Sequence, residues 1–391
     1  MLLGEASLSC ASGEAHMDRP RIAVIVRYGL NPNAWEERHR RGEVADRTPY
    51  GYHLAESAFD LEWSTDRIEG ATARWWRMTA KRVLGFDFIH VWRNRDAIAR
   101  ADAVWTHTER EHLAVALLKL LRPRRYRAAS IAQSVWLWDL WPELSGIRTR
   151  FFRLLLRRHA VEVVLSRVNR DDAHRLAPGR TVLRVPFGTH FADAGEPAER
   201  AEPRVVVVGN DRHRDWDLMA GAARAMPGVA VDVISLSDEV RALDWAPNVT
   251  VRSLRQADLL RTVYRSATVV ALPLHENRHA SGCTVAIEAL SAGVPVVATD
   301  AGGIDEYLDG SVHSTLVPRG DLDAFTAAIA VLTREGVREE TSLPRHRGLG
   351  EADYIARLVA ITHAVLAGRP VDPAVEEFQT MSSADDPEPA R

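Results

Sequence analysis

The residues best suited to chemistry lie in one stretch, 272–308, where an apolar run is followed by a polar loop and a helical segment. Ser281 and Gly282 are expected at the start of that helix, where free backbone N–H groups and the positive end of the helix dipole favour an anion such as phosphate. Glu288 follows Thr284 by four residues on the same helical face. Its carboxylate could accept hydrogen bonds from two vicinal hydroxyls, as on a ribose.

A structural alternative exists for each of these residues. Ser281 could simply cap the helix and Glu288 could be a solvated helix residue. The Gly302-Gly303 turn after the next strand, with Glu306 behind it, extends the polar set. Taken together, the residues favour a ligand site over the structural alternative.

A second polar stretch, GNDRHRDWDLMAGAA, follows another apolar run. Gly209 ends that run, and Arg212 and Arg214 precede a helix that starts near Asp215. The planar guanidinium of arginine can hold phosphate oxygens with two parallel hydrogen bonds. The alternative is an exposed loop in which Asp215 caps the helix.

Apolar runs typical of buried strands alternate with helical segments along the whole chain, which predicts βαβ units and parallel sheets. The runs form two series, separated by a loop near residues 190–203. The first series is RIAVIVRYG, ADAVWTH, RAASIAQSV, VEVVLS and TVLRVPFG; the second is RVVVVGN, VAVDVISL, NVTVRSL, ATVVALPL and VPVVATD. The sequence therefore predicts an α/β protein with two Rossmann-like, doubly wound domains that face a central cleft, with ligands at the carboxyl ends of the strands.

These patterns predict domain boundaries as well. We expect an N-terminal Rossmann-like domain over 18–195, a C-terminal Rossmann-like domain over 196–350, and a helix over 351–368 that packs on the domain pair. The compositions of residues 1–17 and 369–391 predict a disordered extension and a disordered tail. The first sixteen residues lack a basic region and make a poor signal peptide.

Composition limits the function classes. The formal charge is −3, which argues against a nucleic-acid partner. The two cysteines, Cys10 and Cys283, have no metal-ligand spacing and suit a reducing cytoplasm. Nine of the eleven tryptophans precede residue 190, so the two halves of the chain are expected to have different roles.

The stretch 272–308 resembles the donor domain of the group 1 (family four) glycosyltransferases, which have the GT-B fold. The elements that carry the resemblance are Pro273, the Glu288-Ala289 pair, the segment from Gly293 to Val297, and the segment from Gly302 to Glu306. It implies retaining transfer of a sugar from a nucleotide-sugar substrate, without a metal or other cofactor. It also implies a ribose contact at Glu288 and a diphosphate contact at Arg212 or Arg214, with Arg214 preferred.

The chain departs from the family pattern at two positions. The first glutamate of the E-x7-E pair should fall at Ala280, so Glu276, His279 or Ser281 would have to replace its contact to the donor sugar. The aspartate usual after the VPFGT corner is His190. In an enzyme of this family a histidine at a strand end lies near the donor sugar, and His107 matches it as the expected catalytic residue.

The residues expected to bind the acceptor lie in the first half of the chain. Tyr50 and His53, in a long loop after the first strand, and Asp139, after a later strand, are the expected acceptor contacts. Tryptophans mixed with basic residues in RWWRMTAKRVLGFDF suit either a protein core or an anionic membrane surface at the inner face of the membrane. The acceptor could therefore be a glycan, a lipid-linked sugar or a small molecule. Two other functions remain open: a non-catalytic nucleotide-sugar-binding protein and an inverting GT-B transferase.

Overall fold

The computed structural model describes residues 19–191, 202–254 and 262–382, which fold into two α/β domains. Each domain contains one six-stranded sheet in which all described pairings are parallel. The predicted extension over 1–17 lies outside the described residues. The two-domain, doubly wound architecture predicted from the alternating apolar runs is confirmed.

The strands are short and rich in valine, and most are buried on both faces, as expected where helices cover a parallel sheet on both sides. The N-terminal strands are β1 (Arg21–Ile25), β2 (Asp60–Trp63), β3 (Ala103–Thr106), β4 (Ala129–Gln133), β5 (Val161–Val164) and β6 (Val182–Arg184). The C-terminal strands are β7 (Arg204–Val208), β8 (Ala230–Ile234), β9 (Val249–Arg252), β10 (Val269–Leu272), β11 (Val296–Thr299) and β12 (Thr315–Val317).

The strand order locates the ligand-binding crevice of each domain. The sheets run β2-β1-β3-β4-β5-β6 and β12-β11-β10-β7-β8-β9. The order reverses between β1 and β3 in the first sheet and between β7 and β10 in the second. Open parallel sheets bind ligands at such switch points, beyond the carboxyl ends of the strands.

Helices connect the strands and cover both faces of each sheet. In the N-terminal domain they are α1 (Pro32–Arg40), α2 (Ala71–Leu84), α3 (Phe88–Arg93), α4 (Arg95–Arg100), α5 (Glu109–Leu121), α6 (Leu137–Leu140), α7 (Gly146–Leu156) and α8 (Arg167–Leu176), with 3-10 turns at Pro49–Ser57 and Trp141–Glu143. Further along they are α9 (Trp216–Ala225), α10 (Asp238–Arg241), α11 (Tyr264–Ser266), α12 (Cys283–Ser291), α13 (Asp305–Leu308), α14 (Leu322–Glu335), α15 (Leu343–His346) and α16 (Glu351–Leu366), with a 3-10 turn at Pro373–Glu376.

The last helix, α16, completes the core of the N-terminal domain after the chain has returned from the C-terminal one. Tyr354, Ile355, Leu358 and Ile361 are buried with residues of β1, β3 and β5. The Trp105 indole N–H donates to Thr362 Oγ1 at 2.9 Å, so the helix also satisfies a buried polar group of β3. The helix predicted over 351–368 is therefore present, and its apolar face packs mainly on the first domain.

Two strands and the start of the tail differ from the sequence-based predictions. Edge strands β2 and β12 were not predicted, because DLEW and TLV are too short and too mixed in polarity to form an apolar run. Disorder from residue 369 was wrong up to residue 382. There Met381 N donates to Asp353 Oδ1 at 2.7 Å, and the Phe378 ring packs edge-on against Tyr307.

The return of the chain to the N-terminal domain requires a glycine at position 188. A Cβ at Gly188 would lie 2.0 Å from the Gly350 carbonyl oxygen and 3.0 Å from Tyr354 Cβ. We expect Gly188→Ala to lower the free energy of unfolding by about 1–3 kcal/mol, because a backbone oxygen cannot move aside as a side chain can. Chemical denaturation followed by circular dichroism measures this change. Gly146→Ala is the control, since a Cβ there meets nothing within 4 Å; an equal loss in both variants would contradict the argument.

Candidate active site

The loops after β7 and β10 meet at the switch point of the C-terminal sheet. The two strands are neighbours in the sheet although β8 and β9 lie between them in sequence. Arg214 pairs with Leu274 through an isolated antiparallel bridge, and Asp215 N donates to Pro273 O at 2.9 Å. These backbone contacts hold the two predicted donor-binding loops side by side.

Arg214 is the central group of this crevice. Its guanidinium is buried and donates from Nε to Val208 O at 3.0 Å and from Nη1 to Ser281 Oγ at 2.8 Å. Asp211 Oδ2 lies 3.2 Å from the same Nη1. Gly209 provides the space, since a Cβ there would lie 2.4 Å from Arg214 Nε. The Nη2 group lies beside Gly282, at the start of α12.

The electrostatics around Arg214 are dominated by its ion pair with Asp211. Burial opposes ionisation of Asp211, but the nearby Arg214 guanidinium, together with hydrogen bonds from His213 N and Ser281, outweighs it and lowers the pKa of the carboxyl. Burial likewise lowers the pKa of Arg214, and Asp211 opposes that shift. The pair is charged at neutral pH, and the guanidinium is held rigidly in place for a further anion.

The N-terminus of α12 has no side-chain cap. Gly282 is the N-cap, with φ +87°, and Ser281 is one residue too early to cap the helix. Instead Ser281 N donates to Asn277 Oδ1 at 2.9 Å, and Ser281 Oγ donates to Asp211 Oδ2 at 3.1 Å. The capping alternative for Ser281 is therefore wrong. The N-terminus of α12, which has no side-chain cap, lies beside the Arg214 guanidinium.

Glu288 is one turn further along α12 than Thr284 and is buried rather than solvated. Its Oε2 accepts a hydrogen bond from Tyr264 Oη at 2.7 Å. Burial, with the Glu288 charge beside it, raises the pKa of Tyr264 well above its usual value, so the phenol remains a donor. Tyr264 was not singled out from the sequence, because an isolated tyrosine in a helix carries no motif.

His279 and Asp139 join the two domains at the crevice. Asp139, on α6 of the N-terminal domain, accepts from Arg278 N at 2.6 Å and lies 2.8 Å from His279 Nδ1. The His213 ring packs edge-on against that of His279, with centroids 4.9 Å apart. The acceptor contact predicted for Asp139 remains a prediction; in this structure both its oxygens are engaged by the donor loop.

Gly303 and Glu306 lie at the domain interface. A Cβ at Gly303, where φ is +82°, would lie 2.6 Å from Ser166 Cβ of the N-terminal domain. Glu306 accepts from Arg167 N at 2.6 Å and lies 3.3 Å from Arg184 Nη1. These contacts hold the domains together, whereas the donor-binding role predicted for the two residues is a separate expectation.

Arg212 differs from Arg214 in exposure. Its side chain is exposed at the rim of a cavity of about 480 Å³ that also borders Asp211 and Arg214. The outer wall of this cavity is formed by Trp216, Val240, Leu243 and His275, among others. The cavity extends the crevice away from the α12 N-terminus.

In the N-terminal domain, His107 follows β3 directly, at the switch point beside β1. Tyr52 Oη is 2.9 Å from His107 Nδ1, and the Tyr50 ring stacks on the imidazole with centroids 3.3 Å apart. Tyr50 has φ +63°, a conformation rare for a residue with a side chain and often found at functional sites. Burial lowers the pKa of His107 to about 3, so the imidazole is neutral at physiological pH.

His53, the third expected acceptor contact, is not part of this cluster. Its Nδ1 lies 3.1 Å from Thr48 Oγ1, and its backbone N donates to the same oxygen at 3.0 Å. Burial and the nearby Arg47 lower the pKa of His53 to about 4. The structure thus brings Tyr50 and His107 together, and Tyr52, which the sequence did not single out, links them.

Comparison with known proteins agrees with this geometry. Residues 197–335 match the family model described as Glycosyl transferases group 1. Over these residues the chain is similar to the group 1 glycosyltransferases, and its paired domains have the GT-B fold.

Two curated relatives illustrate the likeness. The D-inositol 3-phosphate glycosyltransferase of Saccharomonospora viridis is 39% identical over 92 residues, which are 24% of this chain and 20% of that protein. The 2-deoxystreptamine N-acetyl-D-glucosaminyltransferase of Streptomyces fradiae is 29% identical over 207 residues, 48% of this chain and 47% of that protein. The aligned regions thus span less than half the length of these relatives.

Solved structures share the fold over nearly the whole chain. Sucrose-phosphate synthase of Thermosynechococcus elongatus superposes with a TM-score of 0.63 at 17% identity, covering 90% of this chain and 97% of that one. Anabaena HepE in complex with UDP-glucose gives a TM-score of 0.54 at 14% identity, covering 91% and 97%. At such identities the likeness concerns the fold alone.

The low pKa of His107 leads to a testable prediction about how the activity depends on pH. Because burial keeps the imidazole uncharged above about pH 4, His107 should not change its charge between pH 5.5 and 8.5. We expect the ratio of kcat/KM between the wild type and His107→Gln to stay constant within about twofold over that range. A histidine titrating near its ordinary value would instead change this ratio about tenfold. Steady-state kinetics across the pH range distinguishes the two results.

Proposed function

We propose that this protein transfers a glycosyl residue from a nucleoside-diphosphate sugar to an acceptor hydroxyl, with retention of the anomeric configuration and without a metal or other cofactor in the transfer step. The observation that carries the proposal is the meeting of the buried Arg214 guanidinium with the uncapped N-terminus of α12 at the sheet's switch point. A fixed cation beside free helix N–H groups is suited to a diphosphate.

The proposed donor lies along α12. The diphosphate is held by Arg214 and the N–H groups after Gly282, and the ribose hydroxyls are held by Glu288, about one helical turn away. Glu288 is supported in this role by Tyr264, whose hydroxyl fixes one carboxylate oxygen at 2.7 Å. The guanidinium neutralises the charge that develops on the leaving diphosphate, which is the usual contribution of a fixed cation to such a transfer.

The donor sugar is proposed to face His279 and His107. Ala280, with φ +53° and no exposed surface, cannot supply the carboxylate contact of the family pattern. Of the possible substitutes, Glu276 is exposed and ion-paired with Arg319 at 2.6 Å. His279 is buried and oriented through Nδ1 by Asp139, so it is the group best placed to replace the missing contact.

The proposed reaction needs no basic side chain. The bond between the anomeric carbon and the diphosphate oxygen breaks, and the acceptor oxygen bonds to the same face of the sugar. The acceptor proton passes to an oxygen of the departing diphosphate. Neutral His107, held by Tyr52 and covered by Tyr50, then positions a sugar hydroxyl rather than abstracting its proton.

Donor binding tests the proposal directly. We expect Arg214→Ala and Glu288→Gln each to weaken binding of UDP or its preferred analogue about 10- to 100-fold, because each removes hydrogen bonds that involve a charged group. Titration calorimetry with uridine, guanosine, adenosine and thymidine diphosphates measures the affinities. Arg214→Lys, which keeps the charge but not the planar geometry, should give an intermediate loss.

Arg212→Ala is the matched control from the same loop. Its side chain is exposed at the cavity rim, so a change of no more than about threefold is expected. Equal losses in Arg212→Ala and Arg214→Ala, with both variants folded by circular dichroism, would contradict the central role of Arg214. Absence of binding to every nucleotide would refute the donor site as a whole.

A screen of donor and acceptor pairs tests which acceptor the protein uses. The two relatives named above act, by their names, on an inositol phosphate and on 2-deoxystreptamine, both polyhydroxylated six-membered rings. We therefore propose to pair UDP-glucose and UDP-N-acetylglucosamine with cyclitols, glycans and lipid-linked sugars. Nucleotide release that depends on both donor and acceptor supports transfer, and the anomeric configuration of the product distinguishes retention from inversion.

A second candidate is a nucleotide-sugar-binding protein without turnover. The alanine at position 280 favours it, because the family's carboxylate contact to the donor sugar is lost there. Tight donor binding without product across the whole acceptor panel would support this function over the first.

A peripheral membrane contact is the remaining proposal, and it rests on α2. Trp75 and Trp76 are 59% and 61% exposed, and Val83, the penultimate residue of the helix, is 67% exposed. Arg148 donates to the carbonyls of Arg82 and Val83, so the exposed start of α7 continues the same face. Aromatic and basic side chains on an exposed helix suit an anionic lipid surface. Within the described residues, no helix has the length and apolarity needed to cross a bilayer.

Vesicle binding tests this contact. We expect the wild type to sediment with vesicles containing phosphatidylglycerol, and a Trp75→Ala, Trp76→Ala double variant to bind about tenfold less, because two large rings no longer enter the interface. Val312→Ala, which removes an 81% exposed side chain from the other domain, is the control. Equal binding by all three proteins, or none by the wild type, would contradict the membrane contact.

A further inference from the structure

Three side chains with metal-binding groups converge behind the cleft. Asp46 belongs to the long loop after α1, His190 to the segment that leaves β6, and Glu351 is the first residue of α16. One ligand atom from each lies within 4.8 Å of the other two. His190 Nε2 contacts Asp46 Oδ1 directly and is 3.3 Å from Glu351 Oε2.

Asp46 Oδ1, His190 Nε2 and Glu351 Oε2 are buried, and apart from one another they have no polar partner among the described residues. The Glu351 side chain is only 7% exposed. A single imidazole nitrogen can donate at most one hydrogen bond, so it cannot satisfy both carboxylates. Buried polar groups in proteins are nearly always paired or bound to a metal, so this cluster is suited to a further partner.

The other histidine–carboxylate cluster among the described residues does not share this property. There Asp139 accepts from Arg278 N through one oxygen and contacts His279 Nδ1 through the other, both within 2.8 Å. Its polar atoms are therefore satisfied by protein groups, and it belongs to the proposed donor site.

The backbone around the first cluster fixes the positions of its ligands. Thr189 N donates to Leu349 O at 3.1 Å, and Thr189 forms a parallel bridge with Gly350. His190 and Glu351 each follow a residue of this bridge. Gly51 leaves room for the carboxylate, since a Cβ there would lie 2.2 Å from Glu351 Oε1. The ligand spacing is thus set by main-chain contacts rather than by flexible side chains.

We propose that Asp46, His190 and Glu351 bind one divalent transition-metal ion of the Zn²⁺ type. One imidazole and two carboxylates match the nitrogen and oxygen ligands that Zn²⁺ accepts, with water in the remaining position. The ion gives each of the three buried ligand atoms a partner. It also links the acceptor-side loop to the interdomain segment and the last helix, so its role is structural and does not depend on the proposed transfer reaction.

Metal binding to the full chain tests this inference without any activity measurement. The purified protein is freed of metal with a chelator and titrated with Zn²⁺ in competition with a chromophoric chelator. We expect one tight site per chain and a rise in Tm of about 3 °C or more at a hundredfold excess of Zn²⁺ over its Kd. Co²⁺ in the same site should give visible absorption bands of a four- or five-coordinate ion.

Variants locate the site. His190→Asn and Glu351→Gln should each weaken Zn²⁺ binding at least tenfold and abolish the rise in Tm. If either variant unfolds, Asp46→Asn tests the site instead, because it replaces a loop side chain by one of similar volume. His346→Asn, an exposed histidine, and His213→Asn, from the second cluster, are the matched controls.

Three results would overturn the proposal: no Zn²⁺ binding tighter than about 10 µM, unchanged binding in the site variants, or an equal loss in His213→Asn. In the first case, a protonated imidazole shared by the two carboxylates replaces the metal as the explanation of the cluster.

Discussion

The buried guanidinium of Arg214 is the constraint on which the C-terminal half of the site depends. A cation without exposure is tolerated only where it is paired and hydrogen-bonded, and here a carbonyl, a hydroxyl and a carboxylate from two loops meet that need. Gly209 must lack a side chain for the guanidinium to fit. Because Ser281 is committed to this network, it is not the cap of α12, and the helix N-terminus is left for a ligand. One buried charge thereby fixes two loops and leaves the proposed anion site open.

The same crevice is bounded by contacts between the domains. Asp139 holds the backbone and imidazole of the loop at 278–279, and Glu306 receives the first backbone N–H of α8 at 2.6 Å. Tyr307 Oη adds a bond to Leu165 O at 2.8 Å and accepts from Phe187 N at 3.0 Å. Each of these polar groups is satisfied only while the domains face each other. The relative position of the domains and the shape of the donor loop are therefore coupled through these hydrogen bonds, in addition to the packing of Ala45 and Phe187 on the C-terminal core.

Much of the fold was predictable from the sequence because the buried parallel strands are valine-rich apolar runs. The ten predicted strands are present, and the donor loops were found because glycine, arginine and serine follow such runs. The short edge strands β2 and β12 escaped, since a strand half open to solvent needs no apolar run. Residues 369–382 were misjudged because their composition resembles a tail, although Asp353 and Arg357 of α16 bind their backbone. The residues that contact the site residues could not be predicted as easily from the sequence. Tyr264 and Tyr52 act through contacts distant in sequence, and no local pattern indicates them.

The structure shows the surroundings of Ala280, which stands where the family pattern has its first glutamate. Ala280 has φ +53°, and its Cβ lies 3.3 Å from where a Cβ at Gly303 would be, beside Ser166 of the other domain. A larger side chain at position 280 would therefore start close to the contact between the two domains. A buried histidine with one nitrogen held by a carboxylate presents its other nitrogen in a defined direction. At the proposed sugar subsite, an imidazole oriented by Asp139 at position 279 thus stands next to the position where the family pattern has a carboxylate.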